Sequence, residues 1–378
     1  MTGSRKAVLA AIDLPGRHFP PDVLLDELEL LLGNLGIRTV GRVTQRRNAP
    51  DPTFLIGRGK AEELKAYCAA AEASLLVCNE TLSPGQKINL EGATGVEVWD
   101  RPFVIMKIFE RRARTSEAKL QIEMALCKYE IPHLKGLGEQ MSRLGGGIGT
   151  RGPGETEFER HRRKLERRVR NIAINLETIK KKRGLQRDRR RKLSIPVLSL
   201  VGYTNSGKSS LLRALSGDKT LLVEDRLFST LDTFIRKVHL PSGEEILLAD
   251  TVGFIRDLPP DLVASFRTTL EEIVNSEYIL LVLDASDPGL KDVLPVVEET
   301  LSDIGAGEIP RLFVLNKTDL LPESSVALLE EYFSSRGEKV VSVSALQGAG
   351  LPRLLRAMED FLGQGRTLQQ ERSVCHDA

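Results

Sequence analysis

Little in this sequence is aromatic, and nothing in it is spaced to hold a metal by sulfur or to cross a membrane. Aromatic residues make up 5% of the 378 residues, with a single tryptophan, Trp99. The four cysteines, Cys68, Cys78, Cys127 and Cys375, have no metal-ligand spacing. They read as reduced thiols of a cytosolic protein. No apolar run approaches the ~20 residues that a membrane-spanning helix needs. The N-terminus, Met1 to Lys6, leads into an apolar stretch broken by Asp13 and Pro15, which predicts a first strand rather than a secretory signal. A cytoplasmic monomer is expected, without stable membrane insertion and at most peripherally associated with membranes.

Charge is plentiful but unevenly placed. The chain carries 54 Lys/Arg and 52 Asp/Glu. Between Glu159 and Lys192, 16 Lys/Arg face 4 Asp/Glu, a net +12, which leaves 38 against 48 elsewhere. Such a segment on an otherwise acidic protein is a candidate contact for a polyanion. Its only interleaved aromatic is the flanking Phe158, so stacking on single-stranded bases is poorly supported. Shape and phosphate recognition of folded RNA fits better.

Residues 6 to 100 alternate between strand and helix patterns. Strands are expected at Lys6–Leu14, Thr39–Arg46, Thr53–Ile56, Ser74–Cys78 and Val96–Trp99, with helices at Asp22–Leu35, Ala61–Ala73 and Ser83–Leu90. This predicts a small α/β domain with a largely parallel sheet. Gly57-Arg58-Gly59-Lys60 lacks the spacing of a phosphate loop and reads as a tight turn before a helix. Helical periodicity runs from Pro102 to Ile131, where Pro132 should end it. It returns with Leu165, Val169, Ile172, Leu176 and Ile179 in a 4-3-4-3 repeat. Two such helices most simply form an antiparallel hairpin. The glycine-rich stretch Ser142–Thr156 between them, with Arg143 and Arg151, is either a flexible linker or a tip that orders on a partner. The domain expectation is 1–101 for the α/β part and 102–192 for the hairpin, with a glycine-rich loop at 142–157. A nucleotide domain follows at 193–363 and a polar tail at 364–378.

The stretch Gly202-Tyr203-Thr204-Asn205-Ser206-Gly207-Lys208-Ser209 matches G-x-x-x-x-G-K-S. It follows the apolar run Ile195–Val201 and precedes a helix starting at Ser210. Its glycines let backbone N–H groups turn toward phosphates at a helix N-terminus. Lys208 is expected on the β- and γ-phosphates and Ser209 on Mg²⁺. Further strands are expected at Phe234–Leu240, Ile246–Asp250, Ile279–Asp284, Arg311–Leu315 and Lys339–Val343, with a last helix at Leu351–Leu362. Asp250-Thr251-Val252-Gly253 ends one of these strands; its carboxylate would hold Mg²⁺ through water and its glycine N–H would meet the γ-phosphate. Asn316-Lys317-Thr318-Asp319 ends another, with Asp319 accepting from guanine N1–H and the exocyclic amine. Adenine offers neither donor, and a buried acid left unpaired disfavours it. Ser344-Ala345-Leu346 would bring the Ala345 amide to the guanine carbonyl oxygen. In Phe228-Ser229-Thr230-Leu231-Asp232-Thr233, either Thr230 or Thr233 would complete the Mg²⁺ shell. The expected activity is GTP hydrolysis. Where many GTPases place a water-orienting glutamine, this chain has Phe254, and neither Arg226 nor Arg236 identifies itself as an arginine finger. Slow intrinsic turnover, accelerated by a partner, is expected.

These motifs together resemble the HflX family of ribosome-associated GTPases. The resemblance rests on the glycine stretch Gly145–Thr156, the phosphate loop, Phe228–Asp232 and Asp250–Phe254. Ile56–Lys60, Leu82–Gln86 and Arg112–Thr115 add to it, and it covers about residues 5 to 362. It implies a GTPase that binds the large ribosomal subunit near the peptidyl-transferase region and splits stalled or idle ribosomes. The glycine loop would then be inserted into ribosomal RNA. Thr230 becomes the Mg²⁺ threonine, and Asn205 resembles GTPases activated by K⁺. Many members carry an additional C-terminal domain; contacts made through it fall outside this stretch, which ends at Ala378. The alternatives are a large-subunit assembly factor and a regulatory switch with a protein partner.

Overall fold

The computed structural model describes residues 5–17, 19–144, 153–192, 195–218, 234–255 and 267–374. Two compact units divide the chain, the first running to Lys180 and the second starting at Lys181.

In the first unit, strands β1 (Lys6–Asp13), β2 (Arg38–Arg46), β3 (Leu75–Cys78) and β4 (Glu97–Asp100) alternate with helices α1 (Pro21–Leu35), α2 (Arg58–Ala70) and α3 (Pro84–Thr94). The sheet is parallel throughout, in the order β2-β1-β3-β4. Continuous apolar runs such as Ala7 to Ile12 are what a sheet covered on both faces requires, and these residues are fully buried. The expected strand at Thr53–Ile56 is instead a turn closed by a bridge between Asp51 and Leu55. Asp51 Oδ1 accepts from the N–H groups of Thr53 and Phe54, and this local bonding competes successfully with a ladder. Gly57-Arg58-Gly59-Lys60 opens α2, as the turn reading expects.

Helix α4 (Arg101–Arg112) is followed by α5 (Ser116–Leu144) and the long α6 (Pro153–Lys192). Pro132 does not end α5. The proline forfeits one backbone bond, but buried Ala118, Ile122, Ala125, Cys127 and Leu134 hold the helix by packing. Tyr129, three residues before the proline, donates its hydroxyl to the fully buried Asp100 at 3.0 Å. Arg168 of α6 forms a two-pronged pair with Glu123 of α5, and His161 faces Glu130. As the α5 partner advances from 123 to 130, the α6 partner retreats from 168 to 161, so the two helices are antiparallel. Ile172, in the middle of the 4-3-4-3 stripe, is fully buried.

The second unit contains β5 (Val197–Val201), β6 (Phe234–His239), β7 (Glu245–Asp250), β8 (Tyr278–Asp284), β9 (Arg311–Asn316) and β10 (Val340–Ser342). Their order is β10-β9-β8-β5-β7-β6, parallel except that β6 runs against β7. Among the described residues its helices are α7 (Lys208–Ser216), α8 (Arg267–Val274), α9 (Leu290–Asp303), α10 (Glu323–Ser335) and α11 (Leu351–Val374). The last continues past the expected stop at Leu362, since Gly363 and Gly365 are followed by a proline-free run of good helix formers. The mixed α/β class and the mostly parallel sheets agree with the reading of the sequence. Among the described residues, no helix is long and apolar enough to cross a membrane.

Candidate active site

The carboxyl ends of β5, β7, β8 and β9 converge on one edge of the second sheet, where open α/β folds bind ligands. From β5 the chain turns at Gly202, passes through residues 203–206 and enters α7 at Lys208. Two glycines are obligatory here. Gly202 has φ +152, and a Cβ on it would stand 2.1 Å from the Val282 carbonyl oxygen. Gly207 has φ +90, and a Cβ there would stand 2.1 Å from Asn316 Nδ2. Asn205, at the exposed crest, takes a left-handed φ of 64.

The loop is sewn to the neighbouring strand end. Phe254 N–H donates to the Gly202 carbonyl (3.1 Å), and Thr204 N–H donates to the Phe254 carbonyl (2.7 Å). Phe254 is 2% exposed, so the position occupied by glutamine in many GTPases is here fixed in both backbone and side chain. Gly253 lies directly beneath the loop, where a Cβ would meet Lys208 Nζ at 2.8 Å and Thr204 Cα at 2.9 Å. Thr251 is fully buried and donates its hydroxyl to the Leu200 carbonyl, tying β7 to β5; Val252 is buried beside it.

Lys208 is buried and donates Nζ to the carbonyls of Gly202 (3.1 Å) and Tyr203 (2.8 Å). Burial pushes its pKa down to about 8, partly opposed by the Asp250 carboxylate. Ser209 Oγ donates to Asp250 Oδ2 at 2.6 Å. Thr204 Oγ1 and Ser206 Oγ are buried without a hydrogen-bond partner. Polar hydrogens left unpaired inside a loop of inward-turned amides suit an oxyanion, which would satisfy them. A hydroxyl and a carboxylate in contact are the hard oxygen donors that Mg²⁺ prefers, so Ser209 and Asp250 fit that ion.

On the other side of the loop, Asn316 links three segments. Its Nδ2 donates to the Ser206 carbonyl (2.9 Å), and its Oδ1 accepts from Ala345 N–H (3.0 Å). A base oxygen reaching the Ala345 amide therefore shares a donor already in use. Thr318 N–H donates to the Val343 carbonyl, which brings the 316–319 turn against the Ser344-Ala345-Leu346 loop. Ser344 is buried and its Oγ accepts from Gln347 N–H, whereas Leu346 is 86% exposed. Asp319 Oδ1 is buried and unpartnered. Lys317 pairs with Asp284 Oδ2 at 2.7 Å, a contact that no motif in the sequence reading included.

The structure thus brings together the expected residues of 202–209, 250–253, 316–319 and 344–346. Phe228, Ser229, Thr230, Leu231, Asp232 and Thr233 lie outside the described residues. So do Arg226 and residues 145–152 of the glycine stretch. Cys68, Cys78 and Cys127 are buried free thiols. Among the described residues no cluster of His, Cys, Asp or Glu could hold a metal by itself.

A phosphate loop on a parallel sheet, with an Asn-Lys-Thr-Asp turn beside it, defines the second unit as a P-loop GTPase domain. Consistently, residues 197–317 match the family described as 50S ribosome-binding GTPase. Residues 22–110 and 112–190 match the N-terminal and middle regions of GTP-binding GTPases. The chain is 48% identical over 335 residues to GTPase HflX of Caldanaerobacter subterraneus subsp. tengcongensis, spanning 89% of this chain and 76% of that protein. Against GTPase HflX of Escherichia coli K12 it is 40% identical over 340 residues, spanning 89% and 79%. A solved structure, SsGBP in complex with GDP, superposes with a TM-score of 0.51 at 27% identity, covering 95% of this chain and 99% of that one. The chain belongs to the HflX family of GTPases and is a GTP-hydrolysing enzyme.

Proposed function

We propose that this enzyme uses its GTP cycle to engage the large ribosomal subunit and to split stalled or idle 70S ribosomes in the cytoplasm. The observation that carries the reading is the surface of α6. Arg160, Lys164 and Arg167 follow 4-3 spacing on one exposed face, and they and Arg170 have no acidic partner among the described residues. Unneutralised like charges along a rigid helix favour a polyanion over bulk solvent. The work divides along the chain, with an α/β part to residue 101, an RNA-contacting hairpin of 102–192 and a nucleotide domain of 193–363.

At the nucleotide, Lys208 leaves the carbonyls of Gly202 and Tyr203 for the β- and γ-phosphates, and the N–H groups of residues 202–209 surround their oxygens. Ser209 and Thr230 would hold Mg²⁺, with Asp250, which accepts from the Ser209 hydroxyl, supporting the site; the ion would supply positive charge against the charge that develops on the phosphates. Gly253 N–H marks the γ-phosphate, and Asp319 reads guanine. Phe228, Ser229, Leu231 and Asp232 belong to the same proposed nucleotide-binding set. Asn205 would serve K⁺ as a second cation, testable as faster turnover in K⁺ than in Na⁺. With Phe254 buried and sewn to the loop, no side chain at that position orients the attacking water. Turnover is therefore slow until the subunit orders the site, a gain of about 10³–10⁵ if positive charge is supplied.

Sucrose-gradient profiles of 70S ribosomes with the protein and GTP, or a non-hydrolysable analogue, test the proposal. Free subunits should appear with either triphosphate and not with GDP. Binding to isolated large subunits without loss of 70S particles would favour the assembly-factor reading; no binding to either would leave the protein-partnered switch.

A further inference from the structure

The base side of the site contains an acidic residue that the chemistry above leaves unused. Asp284 ends β8, in register with Asn316 at the end of β9. Its Oδ2 holds Lys317 Nζ at 2.7 Å. Its Oδ1 accepts from both Ser286 N–H (3.0 Å) and Ser286 Oγ–H (2.6 Å). The side chains of Lys317 and Asp284 are only 26% and 22% exposed, so solvent screens the pair less than it would a surface pair. Lys317 itself adopts φ 63, a left-handed bend that costs a side-chain-bearing residue energy. That bend starts the short 3₁₀ turn Thr318–Leu320, and the turn presents Asp319.

The Lys317 ammonium is thus bonded to a carboxylate at the end of β8. Asp319, two residues from Lys317 in sequence, keeps a buried oxygen with no partner. A buried carboxylate oxygen without a donor is costly, and a lysine two residues away on the same chain is a candidate to relieve it. Asp284, itself held in place by the two Ser286 donors, has the ammonium instead. Were Lys317 to swing onto Asp319, the ammonium would occupy the acceptor that guanine needs.

We propose that Asp284 is a specificity-determining positioning residue. By holding the Lys317 ammonium on β8, it keeps Asp319 an open acceptor for the donor edge of guanine. The proposal rests on the reading of Asp319 as the guanine acceptor. Asp284 touches no nucleotide atom in this role; it acts through Lys317. Its removal should therefore change which base is preferred, and not only how tightly any nucleotide binds.

Calorimetric affinities for GDP, IDP and XDP separate these effects. Hypoxanthine lacks the exocyclic amine, and xanthine replaces that donor by a carbonyl. Asp284→Asn should weaken GDP about 10-fold or more, IDP less, and XDP least, since a freed ammonium beside Asp319 favours a carbonyl there. Asp284→Glu should restore most of the GDP preference. Ser286→Ala, which leaves the ion pair but loosens its anchor, should shift the ratios in the same sense by a smaller factor and covers the case in which Asp284→Asn fails to fold. A uniform loss across the three nucleotides would show a merely structural role and overturn the proposal, as would unchanged ratios. Asp319→Asn distinguishes the two levels. If it leaves the preference for GDP intact, the guanine reading and this inference both fall. If it abolishes that preference while the Asp284 and Ser286 variants keep wild-type ratios, only the inference falls.

Discussion

Raising the pH from 7 to 9 should weaken nucleotide binding about tenfold through one side chain. Lys208 is enclosed by the phosphate loop, and burial lowers its pKa to about 8. Phosphate oxygens require the ammonium, so in the complex its pKa rises well above that value. Binding then takes up a proton whenever free Lys208 has lost one. The sign follows: below pH 8 the free protein is already charged and affinity is flat, and above pH 8 the apparent Kd grows as 1 + 10^(pH − 8). That factor is ~1.1 at pH 7 and ~11 at pH 9. Stability of the nucleotide-free protein moves the other way. The unfolded chain has the ordinary lysine pKa of 10.5, so it binds more protons than the folded chain between pH 8 and 10.5. The cost of the buried charge is full below pH 8, and stability rises as that charge is lost. The assay is GDP affinity by calorimetry at fixed ionic strength across pH 6.5 to 9. Lys208→Arg, which does not titrate, should bind more weakly and reads any contribution from ionisation of the guanine itself. A wild-type slope no steeper than that variant's would mean that Lys208 keeps its charge throughout this range.

Three other outcomes follow from the site and the hairpin. Phe254→Gln should not accelerate GTP turnover, because the backbone bonds to Gly202 and Thr204 hold that residue inward; it should lower stability by ~2–4 kcal/mol, and a faster enzyme would contradict the geometry. Gly207→Ala should abolish the nucleotide-induced rise in Tm, since its Cβ would stand 2.1 Å from Asn316 Nδ2; a normal rise would mean that the loop gives way. Neutralising Arg160, Lys164 and Arg167 to Gln should reduce the salt dependence of large-subunit binding by about 2 to 3 in log–log slope, with GDP affinity unchanged.

The nucleotide site was largely legible before the fold because its constraints are local. Gly202 and Gly207 are glycines for reasons of clearance, and Lys208, Ser209 and Asp250 follow at strand ends that apolar runs announce. Asp284 was not legible. Its importance arises from β8 and β9 lying side by side, which sets it against a lysine 33 positions later in the chain. Two of the misjudged elements failed for related reasons. Pro132 looked like a stop, yet tertiary packing of α5 outweighs one missing N–H; Thr53–Ile56 looked like a strand, yet a single Asp51 carboxylate folds it into a turn. The antiparallel hairpin was visible in its heptad spacing, whereas the Arg168–Glu123 pair joining its helices was not, because charge runs do not reveal which members are spoken for.

If the large ribosomal subunit switches this GTPase on, its turnover must depend on that subunit. The most direct measurement is steady-state GTP turnover with purified large subunits, small subunits, naked ribosomal RNA, or no addition. Turnover should be slow alone and markedly stimulated by large subunits only. Brisk unstimulated hydrolysis, or equal stimulation by all three, would contradict it.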